Sequence, residues 1–215
     1  HSSLVQHIAF EILGHLVQQD VTDIVTLTVG HSLPDLITGK GKNGKNLTYL
    51  KERLSSISGT LSTMKVLEDS KHTYSLSHAN ESIGEVTYKN GQIDISYIAG
   101  SVPNFVHELT HAGQFESGDI GFNRTTGAVY ALDIFDEVAA YRSQEYYSGN
   151  KVSHINADYV AGMTDKDGNR IYTLGGYSNT ASVPVSVNTP YDEVAKEIEN
   201  RYGNNIYVVE HQRAN

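Results

Sequence analysis

The chain has 215 residues, 39% of them hydrophobic and 19% charged, which is enough to bury a core and too mixed for disorder, so we expect a single domain over residues 1–215. Its formal net charge of −9, with no clustered Lys and Arg to offset it, argues against nucleic acid as a partner. The chain has no cysteine, which excludes disulfides and leaves His and carboxylate side chains as the metal ligands.

Localisation is predicted from two features of the sequence. No stretch reaches the roughly 18 consecutive apolar residues of a membrane span, so we expect no such span. The chain begins with His1 rather than methionine, which suggests that an upstream segment is missing or was removed. We therefore expect an extracytoplasmic or secreted protein.

The first quarter of the chain predicts two helices around one strand. Residues 4–17 place apolar side chains at three- and four-residue spacing, which predicts an amphipathic helix. Residues 23–29 alternate and are rich in β-branched side chains, which predicts a strand. Residues 39–45 are basic and glycine-rich but lack the spacing of a phosphate-binding loop, so they are interpreted as a surface loop. Residues 46–57 predict a second helix.

A hairpin is predicted in the middle of the chain. Val86 and Tyr88 alternate with polar residues before Asn90-Gly91, and the alternation resumes from Ile93. Asn-Gly between alternating strands favours a two-residue turn, because both turn residues need positive φ. Asn104 follows this hairpin and is the predicted N-cap of the next helix.

Three elements are predicted in the last part of the chain. A helix is expected over residues 128–147. Residues 165–169 resemble the first half of a calcium-binding loop, but the later ligands are missing, so they are interpreted as a hairpin turn. Residues 189–201 predict a last helix, with a proline in its first turn.

The clearest motif is His107-Glu108-Leu109-Thr110-His111. On a helix, two histidines four residues apart lie one turn above each other on the same face, so both imidazoles can reach one ion. Zinc takes such ligands in tetrahedral sites that keep one position open for water, and Glu108 is the predicted base beside that position.

This motif resembles the signature of the zincin metallopeptidases, over roughly residues 85–147. The resemblance implies an α+β fold in which a small mixed, largely antiparallel sheet packs on the motif helix and on a second helix. It also implies a substrate-binding edge strand beside the cleft, at residues 92–98. One Zn²⁺ per chain is the implied cofactor.

The identity of the third ligand separates the branches of this family. The metzincin pattern requires Gly and His at positions that hold Gln114 and Ser117, so that branch does not fit. The gluzincin branch takes a Glu from a following helix, which implies Glu137, in Asp136-Glu137-Val138-Ala139-Ala140-Tyr141. The competing ligands are Glu116, Glu145 and His154.

The surroundings of the expected metal depart from the thermolysin-like form at Tyr141. That form has an Asp four residues after the ligand Glu to orient a histidine, whereas this chain has Tyr141. Asp133 or Asp136 is the alternative partner for a ligating imidazole. Zincins also use a Tyr or His side chain to stabilise the oxyanion, which makes Tyr141 a candidate catalytic residue.

The expected function is zinc-dependent hydrolysis of a peptide or protein substrate, with Glu108 as general base. The sequence identifies neither the natural substrate nor any inhibitor or upstream pro-segment. One alternative is a zincin-like binding or effector module that has lost turnover. Another is an α+β domain in which the motif is accidental, with no metal bound and Glu108 exposed.

Overall fold

The computed structural model describes residues 48–80, 83–127, 129–131, 134–148, 150–173, 176–177 and 206–207. The chain divides into two compact units, His1–Ser62 and Thr63–Asn215. This division does not test the prediction of a single domain. Four predicted elements lie outside the described residues: the helix at 4–17, the strand at 23–29, the loop at 39–45 and the helix at 189–201.

Helix α1 spans Thr48–Asp69, so the predicted end at residue 57 is wrong. The helix continues through Gly59, where a side chain would meet nothing within 4 Å. A glycine inside a helix costs only about 1 kcal/mol. Ile57 and Met64, on either side of it, are both buried, and this burial outweighs the cost of the glycine.

Three strands form a mixed sheet: β1 (Thr73–His78), β2 (Glu85–Lys89) and β3 (Gln92–Tyr97). β3 lies in the centre, parallel to β1 and antiparallel to β2. Asn90 and Gly91 have φ values of 54° and 82°, so the predicted two-residue hairpin turn is confirmed.

The central position of β3 corrects the prediction of an edge strand at residues 92–98. Alternation predicts a strand with one buried face, but it does not say whether the strand has one neighbour or two. The buried side chains Val86, Ile93 and Ile95 share one face of this sheet, and β2 and β3 both contact the motif helix.

The motif lies on helix α2, Val102–Ser117. Its N-cap is Ser101, whose side chain accepts a hydrogen bond from the backbone N–H of Asn104, so the prediction of Asn104 as the cap is wrong. Both residue types favour this position, and Pro103 in the first turn fits the earlier start. The helix ends at Gly118, which adopts φ 83°.

A second sheet and a second helix follow. β4 (Ile120–Asn123) lies between β5 (Val129–Ala131) and β8 (Ile206–Tyr207), antiparallel to both. Helix α3 spans Ile134–Tyr147 and packs against α2. The predicted start of this helix at residue 128 is wrong, because β5 takes up the first part of that segment.

The remaining elements are short: α4 (Ala157–Ala161), β6 (Tyr172–Thr173) and β7 (Gly176–Tyr177). The predicted turn at residues 165–169 is confirmed. One carboxylate oxygen of Asp165 accepts the backbone N–H groups of Asp167 and Asn169, both at 2.9 Å, and Thr164 pairs with Arg170 across the turn.

The architecture is of the mixed α+β class, as predicted, with a small three-stranded mixed sheet beside several helices. Among the described helices, none is both long and apolar enough to cross a membrane.

Candidate metal centre

Helices α2 and α3 bring His107, His111 and Glu137 together. The Nε2 atoms of the two histidines are 3.1 Å apart. The Glu137 carboxylate places one oxygen 3.3 Å from Nε2 of His111 and the other 3.7 Å from Nε2 of His107. In the part of the chain that is described, these three residues form the one group of His, Cys, Asp or Glu arranged to hold a metal ion.

These distances fit a metal ion with short bonds to nitrogen and oxygen. Zinc–ligand bonds of about 2.0–2.1 Å in a regular tetrahedron place the ligand atoms about 3.3–3.4 Å from one another. The observed separations, 3.1, 3.3 and 3.7 Å, lie on both sides of that value. The donor set and its spacing therefore suit Zn²⁺.

The cluster is enclosed by protein. His107 is 6% exposed, Glu108 4%, and His111 and Glu137 1% each. A charged side chain removed from water needs a charge partner or a metal ion, because its loss of hydration is costly. Two buried carboxylates, one of them in contact with two imidazoles, are therefore unfavourable unless positive charge balances them.

Burial and neighbouring charges shift the pKa values of the cluster in different directions. Burial, assisted by the neighbouring His111, lowers the pKa of His107 to about 3. Burial acts in the same direction on His111, but Glu137, Glu108 and Gln114 outweigh it and raise its pKa to about 9. Burial also raises the pKa of Glu108 to about 8. A bound metal ion would take the place of the proton on Nε2 of His111, and its positive charge would lower the pKa of Glu108.

Gln114 links His111 to the second helix. Its Oε1 is 2.7 Å from Nδ1 of His111, and its Nε2 donates to the backbone carbonyl of Asp136 at 2.8 Å. Because an amide oxygen only accepts, the Nδ1 of His111 carries a proton and its Nε2 faces Glu137. This role was not predicted from the sequence, although Gln114 lies on the same helix face as His111.

Glu108 is held between Asn104 and Gly84. The Nδ2 of Asn104 donates to Oε1 of Glu108 at 3.4 Å, and the Oδ1 of Asn104 accepts from the backbone N–H of Ile98 at 2.8 Å. A Cβ at Gly84 would lie 2.7 Å from Oε1 of Glu108. The residue before β2 therefore lies against Glu108, and the same Cβ would also lie 2.7 Å from Oδ1 of Asn104 and 2.8 Å from the backbone oxygen of Ser96, so only a glycine fits here.

Tyr141 lies against the first histidine and is joined to a residue that the sequence did not indicate. Its ring meets the ring of His107 edge to face, with centroids 4.6 Å apart. Its hydroxyl is 2.7 Å from the hydroxyl of Tyr172, in β6. The predicted catalytic role of Tyr141 stays a prediction. Tyr172 is distant in sequence and matches no motif, so no local signal marked it.

The three residues considered as competing third ligands interact with other side chains. Oε1 of Glu116 contacts Ser70, His72 and Tyr74 at 2.5 to 2.8 Å, Glu145 accepts from Asn150, and His154 stacks edge-on against Tyr159.

Of the two aspartates proposed as partners of a ligating imidazole, one lies among the described residues. Asp136 is buried and meets Gln114 through its carbonyl oxygen. Asp133 lies outside the described residues. Nδ1 of His111 instead donates to Oε1 of Gln114, a residue that entered the prediction only through its mismatch with the metzincin pattern.

Comparison with known proteins gives no assignment: no family model, no curated protein and no solved structure matches this chain.

Proposed function

We propose that this protein is a zinc-dependent metallopeptidase that binds one Zn²⁺ through His107, His111 and Glu137. The observation that supports the proposal is the convergence of two imidazole nitrogens and one carboxylate at 3.1 to 3.7 Å beside the buried Glu108. Two His and one Glu, with a fourth position left for water, form a donor set of catalytic zinc sites, whereas structural sites have four protein ligands.

The mechanism assigns a separate task to each residue around the metal. Zinc, when bound, would lower the pKa of a water molecule and would polarise the substrate carbonyl. Glu108 takes a proton from the attacking water and returns it to the leaving amine. Asn104 contacts Oε1 of this carboxylate, so we assign the proton transfer to Oε2. Gln114 keeps the proton of His111 on Nδ1. The Nε2 lone pair is then directed toward the metal position that His107, His111 and Glu137 share.

The resemblance to zincins, in particular to gluzincins, supports the same proposal. The motif helix α2 packs on α3, which carries Glu137, and small residues such as Ala140, which is fully buried, allow close approach. Tyr141 replaces the Asp of the thermolysin-like pattern, and Gln114 contacts the imidazole instead. A peptide or protein is the proposed substrate.

Hydrolysis of a mixed peptide library by the zinc-loaded protein tests this function. Mass spectrometry of the products should show new peptide termini with wild type. Glu108→Gln should lower the rate by about 100- to 10,000-fold, the contribution of a general base, and should retain the zinc. Glu116→Gln is the matched control and should keep the activity, because Glu116 lies in the same helix but is not one of the three proposed ligands.

Two results would contradict the proposal. A zinc-loaded wild type that cleaves no member of the library would instead fit a binding or effector module without turnover. Cleavage that survives Glu108→Gln at the wild-type rate would show that the carboxylate has no part in hydrolysis, or that the cleavage comes from a contaminant.

A further inference from the structure

Asn104 lies in the first turn of α2, where the sequence predicted it to cap the helix. Ser101 is the N-cap instead, and its side chain accepts the backbone N–H of Asn104. The side chain of Asn104 therefore serves another interaction. Because Asn104 and Glu108 are four residues apart on one helix, their side chains lie on the same helix face.

The orientation of the Asn104 amide is fixed by the backbone just after β3. The N–H of Ile98 donates to Oδ1 of Asn104 at 2.8 Å, and a backbone N–H can only donate, so the amide oxygen faces Ile98. The Nδ2 group is then directed to the other side, where it donates to Oε1 of Glu108 at 3.4 Å. A chain of two hydrogen bonds thus runs from the end of β3 through Asn104 to the proposed base.

Gly84 lies against the same two side chains. A Cβ at this position would be 2.7 Å from Oδ1 of Asn104 and 2.7 Å from Oε1 of Glu108. The backbone of Gly84 therefore packs on both oxygens and leaves neither side chain room to turn toward it. Because Asn104 and Gly84 both contact Oε1, the two oxygens of the Glu108 carboxylate have different surroundings.

We propose that Asn104 is a positioning residue for the general base: its amide holds Oε1 of Glu108 and thereby presents Oε2 to the attacking water. This inference rests on the proposed function. At 3.4 Å the bond is longer than the usual range of about 2.7–3.2 Å. Glu108 must be ionised to take a proton, however, and an ionised carboxylate attracts an N–H donor more strongly than a neutral one does.

The kinetic constants of zinc-loaded Asn104→Asp, measured on one peptide that wild type cleaves, test this inference. Aspartate has the same shape and still accepts the N–H of Ile98, but it has no amide to donate to Glu108. We expect kcat to fall about 10- to 100-fold, the usual cost of losing an outer hydrogen-bond partner in a metal site. KM should change little, because the lost contact is made to the base and not to the substrate.

Two measurements without substrate separate positioning from a structural role. The midpoint of urea unfolding should be no lower in Asn104→Asp than in wild type, since Ile98 keeps its acceptor and an acidic side chain is favourable in the first turn of a helix. The zinc dissociation constant, measured by competition with a chromophoric chelator, should stay within a few-fold of wild type, because Glu108 is not a proposed ligand. Asn104→Ala removes the acceptor as well, so it should lower both kcat and the midpoint.

Asn156→Asp is the matched control for the added negative charge. Oδ1 of Asn156 also accepts a backbone N–H near the start of a helix, that of Tyr159 at 2.9 Å. This residue lies in α4, outside the proposed site, so kcat should be unchanged. In the Glu108→Gln background, Asn104→Asp should slow cleavage no further, because Asn104 acts through the carboxylate that this background lacks.

Wild-type kcat in Asn104→Asp would overturn the inference, and so would an equal loss of kcat in Asn156→Asp or in the Glu108→Gln background. If Asn104→Asp does not fold, Asn104→Ala takes its place: a loss of rate confined to the chain with Glu108 supports the inference, and an equal loss in both backgrounds overturns it. A wild type that cleaves no peptide, or a rate that survives Glu108→Gln, would contradict the proposed function itself, which is a different result.

Discussion

Replacement of Gln114 by leucine should weaken both the fold and the metal centre. Gln114 is 9% exposed and makes two hydrogen bonds, to Nδ1 of His111 at 2.7 Å and to the carbonyl of Asp136 at 2.8 Å. Leucine has a similar size but accepts and donates nothing. A buried Nδ1–H without its acceptor costs about 1–3 kcal/mol, and the lost bond to Asp136 costs about 0.5–1.5 kcal/mol.

Together these costs lower the free energy of unfolding of the zinc-free protein by about 1.5–4.5 kcal/mol, a large share of the 5–15 kcal/mol typical of a domain. The zinc dissociation constant should also rise by about 10- to 100-fold, because the hydrogen bond that orients Nδ1 of His111 is lost. Urea unfolding measures the first effect, and chelator competition measures the second.

Gln114→Glu is the matched control for this prediction. It keeps an acceptor for Nδ1 of His111, so it should hold zinc within a few-fold of wild type. Wild-type zinc affinity in Gln114→Leu would refute the reasoning, since it would show that His111 keeps its orientation without this hydrogen bond.

Three further predictions concern neighbouring features. Gly84→Ala should keep zinc but lower peptide hydrolysis about 100-fold, because its Cβ would lie 2.7 Å from Oε1 of Glu108 and displace it; unchanged kcat would contradict this. Burial raises the pKa of Glu116, but hydrogen bonds from three side chains outweigh it, so its pKa lies below its ordinary value of 4.5. The stability this provides is present above about pH 4.5 and is lost as the pH falls through the folded pKa. Glu116→Gln should therefore cost about 1.5–3 kcal/mol at pH 7, and urea unfolding should show the difference shrinking below pH 4.5; a constant difference would count against it. Ser101→Ala should lower the free energy of unfolding in urea by about 1 kcal/mol, because Ser101 is the N-cap of α2. An unchanged free energy of unfolding would show that Asn104 caps the helix instead.

Local chemistry explains which parts of the fold the sequence predicts well. The hairpin follows from Asn90-Gly91, because few residue pairs accept positive φ at both positions. The pairing of His107 with His111 follows from helix periodicity alone. Glu137 was inferred from a family resemblance, and the structure places its carboxylate 3.3 Å from His111.

The features that were not predicted from the sequence depend on residues distant along the chain. Tyr172 follows Tyr141 by 31 residues, and the contact of Gly84 with Glu108 depends on how β2 meets α2. The central position of β3 likewise depends on its parallel partner β1, which precedes the hairpin. Hydrophobic alternation carries no information about any of these contacts.

The predicted helix boundaries were wrong for a different reason. Ser101 and Asn104 are both good capping residues, and the difference between them is about 1 kcal/mol or less. Helix α1 continues through Gly59, and α3 begins six residues later than predicted because β5 pairs with β4. Tertiary packing therefore decided the boundaries of α1 and α3 over local preference, whereas the start of α2 depended on a small difference between two capping residues.

Metal content tests the central claim most directly. Wild type and Glu137→Gln should be stripped of metal, reconstituted with zinc, separated from free ion and measured by plasma mass spectrometry. The proposed centre predicts about one zinc per chain in wild type and much weaker retention in the variant. Wild type that retains no zinc, or a variant that retains it fully, would contradict a centre built on His107, His111 and Glu137.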